Sequence, residues 1–126
     1  MKRLLFLLLV APLLFSQCKT SKLSGPCYKG KLVRKAMCMN YTISVMSGNI
    51  DTALVVAHWQ DPNTGDVFTN AFSLGSPCTF PSNINEGDEF YFNIDNGQVQ
   101  NCAVCLAYYP TPEKHLSIKV SNVSCN

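Results

Sequence analysis

The amino-acid sequence predicts an all-β protein, built as one small antiparallel domain that disulfide bonds hold together. Apolar residues recur at every second position in several short stretches, and turn-forming clusters separate these stretches, which is typical of strands joined by hairpins. Six cysteines lie between residues 27 and 126, more than a cytosolic protein of this size normally uses for packing. No stretch of this region has the apolar period of an amphipathic helix.

The first half of this domain contains one alternating strand pattern and one predicted hairpin. Apolar and polar residues alternate from residue 37 to residue 45, which predicts a half-buried strand. Residues 53–60 are apolar and rich in β-forming side chains, and they predict a central strand. The turn cluster at residues 61–66 leads into a return strand at residues 67–74, so we expect a hairpin here.

The second half begins with a long loop and ends with three predicted strands. Two prolines and two glycines indicate a loop at residues 75–88. A strand follows at residues 89–95, and the Asp-Asn-Gly sequence at its end is a strong signal for a tight turn. Residues 98–109 are predicted to return as a long strand, which the prolines at positions 110 and 112 end. The last strand is expected at residues 116–120.

The order of these elements resembles that of OB-fold domains. A long first strand, a hairpin and a long connection are followed by Glu86-Gly87-Asp88, which leads into a hydrophobic strand. The resemblance implies a small antiparallel barrel, in which the loop replaces the usual helix. An immunoglobulin-like β-sandwich is the alternative, but it would require Trp59 to follow a core cysteine more closely than it follows Cys38.

The first seventeen residues have the pattern of a secretory signal peptide. A positively charged start, Met1-Lys2-Arg3, precedes an apolar run of twelve residues at positions 4–15. This run is too short to cross a bilayer, which requires about 20 residues of helix. We therefore expect this part of the chain to direct export and then to be removed.

The sequence around Cys18 resembles the lipobox of bacterial lipoproteins. Residues 14–18 read Leu-Phe-Ser-Gln-Cys, with Gln17 where a lipobox usually has a small residue. The resemblance implies that Cys18 becomes the new N-terminus and that its acyl chains bind the protein to a lipid bilayer. Ordinary cleavage near Ser16 or Gln17, which would release a secreted protein, is the alternative.

These features divide the chain into three parts. Residues 19–26 contain Gly and Pro and no apolar period, which predicts a short flexible tether. We expect the protein in the bacterial cell envelope, on the outer membrane or facing the periplasm. The parts are a signal peptide at residues 1–17, a lipidated N-terminus and tether at residues 18–26, and a single β domain at residues 27–126.

The cysteine count agrees with an acylated Cys18. The chain has seven cysteines, and acylation of one leaves six, enough for three disulfide bonds. The sequence alone does not choose their connectivity. The candidates for disulfide bonds are Cys27, Cys38, Cys78, Cys102, Cys105 and Cys125.

Cys102 and Cys105 form a CxxC pair, which in other settings is a redox centre. A redox pair of this kind caps a helix, because the helix N-terminus stabilises the thiolate. Here the pair lies in a strand pattern, where residues three apart point to opposite faces. We therefore expect two separate structural disulfides, and keep a thiol-disulfide oxidoreductase as the alternative. A zinc site is not expected, since the chain has no second CxxC.

The charge distribution argues against nucleic acid as a partner. The chain from Cys18 onwards has eight basic and eight acidic residues, whereas nucleic-acid binding requires a basic face. Six of the basic residues lie between residues 19 and 35, directly after the expected anchor. There they favour contact with anionic headgroups.

Three further motifs have a simple structural interpretation. Asp61, Asn63 and Asp66 resemble part of a calcium-binding loop, but these residue types are also the ones that a hairpin turn selects. No nucleophile accompanies His58 or His115, and no cofactor or phosphate motif occurs. We expect a hairpin turn, no metal, no cofactor and no catalysis.

Another short motif, Asp51-Thr52-Ala53, resembles the acceptor for O-linked glycans that one group of Gram-negative bacteria adds to exported proteins. Whether it is glycosylated does not follow from three residues.

Three tyrosines are the candidate binding surface. Tyr108 and Tyr109 precede a rigid proline segment, and Tyr91 is predicted on the strand face opposite Phe90 and Phe92. Exposed tyrosine is common in surfaces that recognise proteins or sugars. We expect a membrane-anchored, non-catalytic binding or structural module with a protein or glycan ligand. The alternatives are the oxidoreductase and a small inhibitor of a hydrolase.

Overall fold

The computed structural model describes residues 25–125, and it confirms an all-β domain. The predicted signal peptide, the lipidation site Cys18 and most of the tether lie outside the described residues. Three short 3₁₀ turns, at Met37–Met39, Thr52–Leu54 and Pro77–Thr79, interrupt the strands. The strands are β1 (Tyr28–Lys35), β2 (Tyr41–Ser47), β3 (Val56–Gln60), β4 (Val67–Leu74), β5 (Glu89–Ile94), β6 (His115–Leu116) and β7 (Ile118–Ser121).

All seven strands belong to one sheet, with the path β3-β4-β2-β1-β5-β7. Every pair along this path is antiparallel, and β6 pairs in parallel with β4. One continuous sheet differs from the two stacked sheets of an immunoglobulin-like sandwich. The path has β3 and β7 at its ends, so the closed barrel that the OB-fold order implies is not confirmed. Only Ser117 separates β6 from β7, and the last part of the chain therefore pairs with both β4 and β5.

The core lies on one face of this sheet and is rich in aromatic side chains. Leu32 and Ile43 are cross-strand partners on β1 and β2, and both are fully buried. Phe72 and Phe92 are also fully buried, with ring centroids 5.8 Å apart. Gly30 makes this packing possible, because a Cβ there would lie 2.9 Å from the Phe92 ring.

Two strand predictions are confirmed in detail. The hairpin between β3 and β4 turns at the predicted cluster, where the Asp61 N–H donates to the Asp66 carbonyl at 2.8 Å. On β5, Phe90 and Phe92 are buried on the core side, and Ile94 on the same side is half-buried.

Two other strand predictions are wrong in part. Residues 37–39 form a 3₁₀ turn instead of the start of a strand, because Cys38 and Met39 both have left-handed backbone with φ of 57°. Residues 53–60 do not form a central strand. Only residues 56–60 form a strand, and this strand is at the end of the sheet path with β4 as its partner.

The predicted strand at residues 98–109 is absent, and residues 98–112 have no regular secondary structure. The reason is the sheet topology. The strand before this segment, β5, pairs with β1 on one side and with β7 on the other. No edge of β5 is therefore left for a hairpin partner, and the segment is held in place by other means.

Candidate functional site

Two of the three disulfide bonds fix residues 98–112, which we call the clamped segment. Cys102 is bonded to Cys78, and Cys105 to Cys38, with Cα–Cα distances of 5.5 and 5.1 Å. The third disulfide joins the two ends of the domain, Cys27 and Cys125. All six candidate cysteines are therefore paired. Such pairing indicates an oxidising environment outside the cytoplasm.

The CxxC cysteines do not bond to each other. Cys102 joins the 3₁₀ turn after β4, and Cys105 joins the 3₁₀ turn before β2. Each bond thus ties the clamped segment to a different part of the domain. The prediction of two separate structural disulfides is confirmed.

Hydrogen bonds add two ties in the first half of the clamped segment. The Gln98 side-chain amide donates to the Ile118 carbonyl at 2.6 Å. The Gln100 side-chain oxygen accepts a hydrogen bond from the Cys78 N–H at 2.9 Å, directly beside the disulfide. Residues 98, 100 and 102 are thereby tied at every second position.

The second half has the same spacing of ties. The Asn40 side-chain amide donates to the Ala107 carbonyl at 3.0 Å and to the Met37 carbonyl at 2.8 Å. The Tyr109 hydroxyl donates to the Asp61 carboxylate at 3.2 Å. Together with the disulfide of Cys105, these contacts hold residues 105, 107 and 109.

Apolar side chains between these ties point into solvent. Val99 is 74% exposed, Val104 46%, Leu106 101% and Tyr108 84%. The last three alternate with the tied residues, so the period of two that predicted a strand is present without a strand partner. Disulfides and side-chain hydrogen bonds hold the segment in place of strand pairing, and the side of the segment that faces solvent is an apolar surface.

The backbone of the clamped segment is also open to a partner. Within residues 25–125, no backbone–backbone hydrogen bond involves residues 98–113. Residues 101–108 are all exposed, and only two of their backbone groups have a partner among the described residues: the Cys102 N–H donates to Cys78 Sγ, and the Ala107 carbonyl accepts from Asn40. The remaining backbone groups are able to pair with an extended strand of another molecule.

An open cleft of ≈ 540 Å³ lies beside the disulfide of Cys105. Its walls come from the turn at residues 35–39, from Tyr41 and from residues 103–105. Met37 and Met39 are exposed next to it. Val104 lines this cleft and is also one of the exposed side chains of the clamped segment, so the cleft adjoins the exposed apolar surface.

The three predicted binding tyrosines have different environments. Tyr108 is exposed on the clamped segment, whereas Tyr109 is half-buried and bound to Asp61. Tyr91 lies on β5 opposite Lys29 and is half-buried. Tyr108 belongs to the exposed apolar surface, Tyr109 holds the segment in place, and Tyr91 is on a different element.

Arg34 organises a charged network next to this segment. Its guanidinium bonds to Asp61 at 2.7 Å, to Asp66 at 2.9 Å and to Glu86 at 3.0 Å, and it lies 5.5 Å from the centre of the Phe68 ring. The carboxylates that resembled a calcium loop therefore bind an arginine and close a hairpin. Among residues 25–125 no group of three or more metal-ligating side chains occurs.

Asp61 is the buried centre of the network and is fully inaccessible to solvent. Burial opposes its charged form, but the Asn63 N–H, Arg34 and the Tyr109 hydroxyl all donate to the carboxylate. These donors and the arginine charge outweigh burial, and the pKa of Asp61 lies below its usual value. The negative charge thus holds Tyr109, and with it the end of the clamped segment, against the hairpin.

A second open cleft, of ≈ 590 Å³, lies over β1, β2 and β4. It contains the Ser44 hydroxyl, which is buried and has no hydrogen-bond partner among the described residues. At its rim, Arg34 forms ion pairs with both Asp66 and Glu86, so these charged side chains are already bound to one another. This cleft therefore presents fewer unsatisfied groups to a ligand than the clamped segment does.

The remaining motifs stay outside this region. His58 and His115 are exposed on β3 and β6. The possible glycan acceptor at residues 51–53 is exposed at a 3₁₀ turn, where Asp51 accepts a hydrogen bond from the Ala53 N–H at 2.9 Å. Its glycosylation stays a prediction.

Sequence reasoning missed Leu106, Val104 and Asn40. A usable signal was present, because residues 98–112 contain no charged side chain. A hairpin strand with one face in solvent usually carries charged side chains, and this run of fifteen residues has none. Their exposure was not predictable, because it depends on the missing strand partner.

No helix within residues 25–125 is long and apolar enough to cross a bilayer. Comparisons with protein-family models, with curated proteins and with solved structures found no match for this chain.

Proposed function

We propose that this protein is a membrane-tethered binding module of the bacterial cell envelope, without catalytic activity, and that the clamped segment is its binding surface. One observation carries the proposal. Apolar side chains are exposed on a segment that ties fix at six residues, namely 98, 100, 102, 105, 107 and 109.

Exposed apolar groups on a soluble domain commonly mark interaction sites. Binding also costs less when the binding residues are already ordered, since immobilising a flexible side chain or loop opposes association. The disulfides and hydrogen bonds of the clamped segment supply this order before a partner arrives. A merely structural connection would not need Leu106 and Tyr108 in water.

The membrane anchor is supported by the sequence and by the disulfide pairing. The apolar run at residues 4–15 and the lipobox-like residues 14–18 favour an acylated Cys18. The three disulfides use all six cysteines that follow Cys18, so no described cysteine is left to pair with Cys18. Acyl chains on Cys18 would place the domain at a membrane surface.

The anchor is tested by the intact mass of the membrane-extracted protein, measured without reduction after free thiols have been alkylated. We expect an N-terminus at Cys18 that carries acyl mass, and no alkylated cysteine. A soluble chain without acyl mass would contradict the anchor.

The binding surface is tested by photo-crosslinking in the producing cell. A photoreactive amino acid replaces Tyr108, and a matched control carries it at His58, which is also exposed but lies on β3. We expect a discrete crosslinked product at position 108 that is absent at position 58. Equal crosslinking at both positions, or turnover of a substrate that one polar substitution abolishes, would overturn the proposal.

The oxidoreductase alternative has less support. Cys102 and Cys105 lie in two different disulfides, whereas a redox pair cycles between a dithiol and a bond of its own.

A further inference from the structure

We propose that the clamped segment is the inhibitory loop of a peptidase inhibitor, and that it enters the substrate cleft of an extracytoplasmic serine peptidase with Leu106 in an apolar specificity pocket. This inference rests on the proposed function and names the partner of its binding surface. It follows from the backbone, the side chains and the ties of the segment, taken in turn.

Peptide-binding clefts commonly take their ligand as an added strand. The backbone of the ligand pairs with an exposed strand of the partner, and alternate side chains enter pockets. Residues 103–106 have no backbone–backbone hydrogen bond to any described residue and are exposed. They are therefore free to make the main-chain bonds that such a cleft offers.

The side chains alternate in the way that such a cleft requires, with every second one directed away from the domain. Val104, Leu106 and Tyr108 are exposed, and the residues between them are held by the domain. Leu106 is the most exposed of the three and is flanked by ties on both sides. It is the natural anchor for a single deep pocket, and its aliphatic side chain fits an apolar one.

The ties explain why the segment would inhibit rather than be consumed. If the serine hydroxyl attacked the Leu106 carbonyl carbon, an ester would form, and the Ala107 nitrogen would leave as an amine with a proton from the enzyme. Cys105 remains bonded to Cys38, and the Ala107 carbonyl remains bound to Asn40. The amine therefore stays beside the ester and reverses the step, reforming the peptide bond and freeing the hydroxyl.

A lipid bilayer is a poorer partner for the same surface. An unpaired backbone N–H or C=O group costs several kcal/mol in hydrocarbon, where water does not satisfy it. The clamped segment has such groups beside each of its exposed apolar side chains. A peptidase cleft satisfies both kinds of group at once.

The absence of charge also favours this partner. No residue from 98 to 112 is ionised, so an apolar specificity pocket meets no unpaired charge when the segment enters. In the nearest charged network, Arg34 binds three carboxylates, so the network offers no unpaired positive charge to the partner.

The test is an inhibition assay with the oxidised, detergent-extracted protein. The targets are a chymotrypsin-type and a subtilisin-type peptidase, which prefer apolar residues, and a trypsin-type peptidase, which prefers basic ones. We expect inhibition of at least one apolar-specific enzyme with a constant of about 10⁻⁶ M or below. Leu106→Arg should weaken this inhibition at least about 30-fold and create inhibition of the trypsin-type enzyme.

The matched control is Val123→Arg, which adds the same charge at an exposed apolar position outside the clamped segment, near the C-terminal end of the domain. It should inhibit like the unaltered protein. Because both positions are exposed, both variants should fold, and intact mass without reduction confirms their three disulfides.

Three outcomes would overturn the inference. The unaltered protein inhibits none of the enzymes, it is cleaved after Leu106 and consumed, or Leu106→Arg inhibits with unchanged specificity. If inhibition is absent and Leu106→Arg instead abolishes a dimer or binding to phosphatidylcholine vesicles, the surface belongs to a second copy or to the membrane. A discrete crosslink at position 108 without inhibition would leave the proposed function in place and remove only the peptidase.

Discussion

The strands of the sheet and the clamped segment both have side chains that alternate between two sides. Backbone hydrogen bonds hold the strands, whereas disulfides and side-chain hydrogen bonds hold the clamped segment. In β5 the apolar positions face inward, and the backbone pairs with strands on both sides. In the clamped segment the tied positions face inward, and the apolar ones face water. The difference indicates that the sheet supplies the stability of the domain, whereas the clamped segment uses that stability to present a surface.

The largest effect is expected from the core. Phe92→Ala should reduce the free energy of unfolding by about 4 kcal/mol, because Phe92 is fully buried against the rings of Tyr28, Phe72 and Phe90. Urea denaturation followed by fluorescence measures this change. Val99→Ala, on an exposed position of the clamped segment, is the control and should change the free energy little. Equal effects would mean that the two regions do not differ as described.

The second effect separates the stability of the fold from the order of the surface. Replacing both Cys38 and Cys105 by Ser should lower the free energy of unfolding by about 3 kcal/mol, since a disulfide across 67 residues limits the unfolded chain. The same change should accelerate cleavage near Leu106 by a broad-specificity peptidase, measured by mass spectrometry. An unchanged cleavage rate would contradict the role of this disulfide in fixing the segment.

The third effect depends on pH. Because the pKa of Asp61 is lowered in the folded state, its contribution to stability is present above its ordinary pKa of about 4 and is lost as pH falls through the folded value. Asp61→Asn should therefore destabilise the protein by about 2 kcal/mol at pH 7, and less in strong acid.

Urea denaturation at a series of pH values between 7 and 2 tests this prediction. Glu113→Gln, on an exposed residue, is the control. A constant difference between Asp61→Asn and the unaltered protein over the whole range would show that the charge of Asp61 does not stabilise the fold.

The smallest effect concerns the clamp beside Leu106. Asn40→Ala removes the bonds to the Ala107 and Met37 carbonyls, and should cost about 1 kcal/mol because both carbonyls lie at the surface. The loss of inhibition, expressed as a free energy, should be larger than the loss of unfolding free energy, because the variant releases the chain on one side of Leu106. Asn122→Ala is the control, as Asn122 is exposed near the other end of the domain. Parallel losses of stability and inhibition would contradict a local role.

The sequence predicted well those elements whose partners are close along the chain. The hairpin at residues 61–66 is encoded by its own turn residues, and the core side of β5 by Phe90 and Phe92. Residues 98–109 have an equally clear period, but their strand partner would have been β5, which β1 and β7 already occupy. The pairing of β5 with β1 and β7 depends on residues far apart in the chain, and a local sequence pattern does not predict it.

The candidate site was predictable to a similar extent. Tyr108 was found because exposed tyrosine is a common recognition residue. The prediction that Cys102 and Cys105 form separate disulfides is confirmed, although the strand on which it was based is absent. Leu106 was missed, because leucine on a predicted strand is normally core. Asn40 was missed as well, since its partner is 67 residues away.

The disulfide between Cys27 and Cys125 has a mechanical consequence. A force that arrives along the chain from the N-terminal side reaches Cys27 one residue before β1 and passes through this bond to the end of the domain, where the Cα atoms are 5.5 Å apart. Strand β1 therefore cannot be peeled from the sheet alone. With the membrane anchor that we propose at Cys18, a load on the tether would be shared by both ends of the fold and would not be carried by β1 alone.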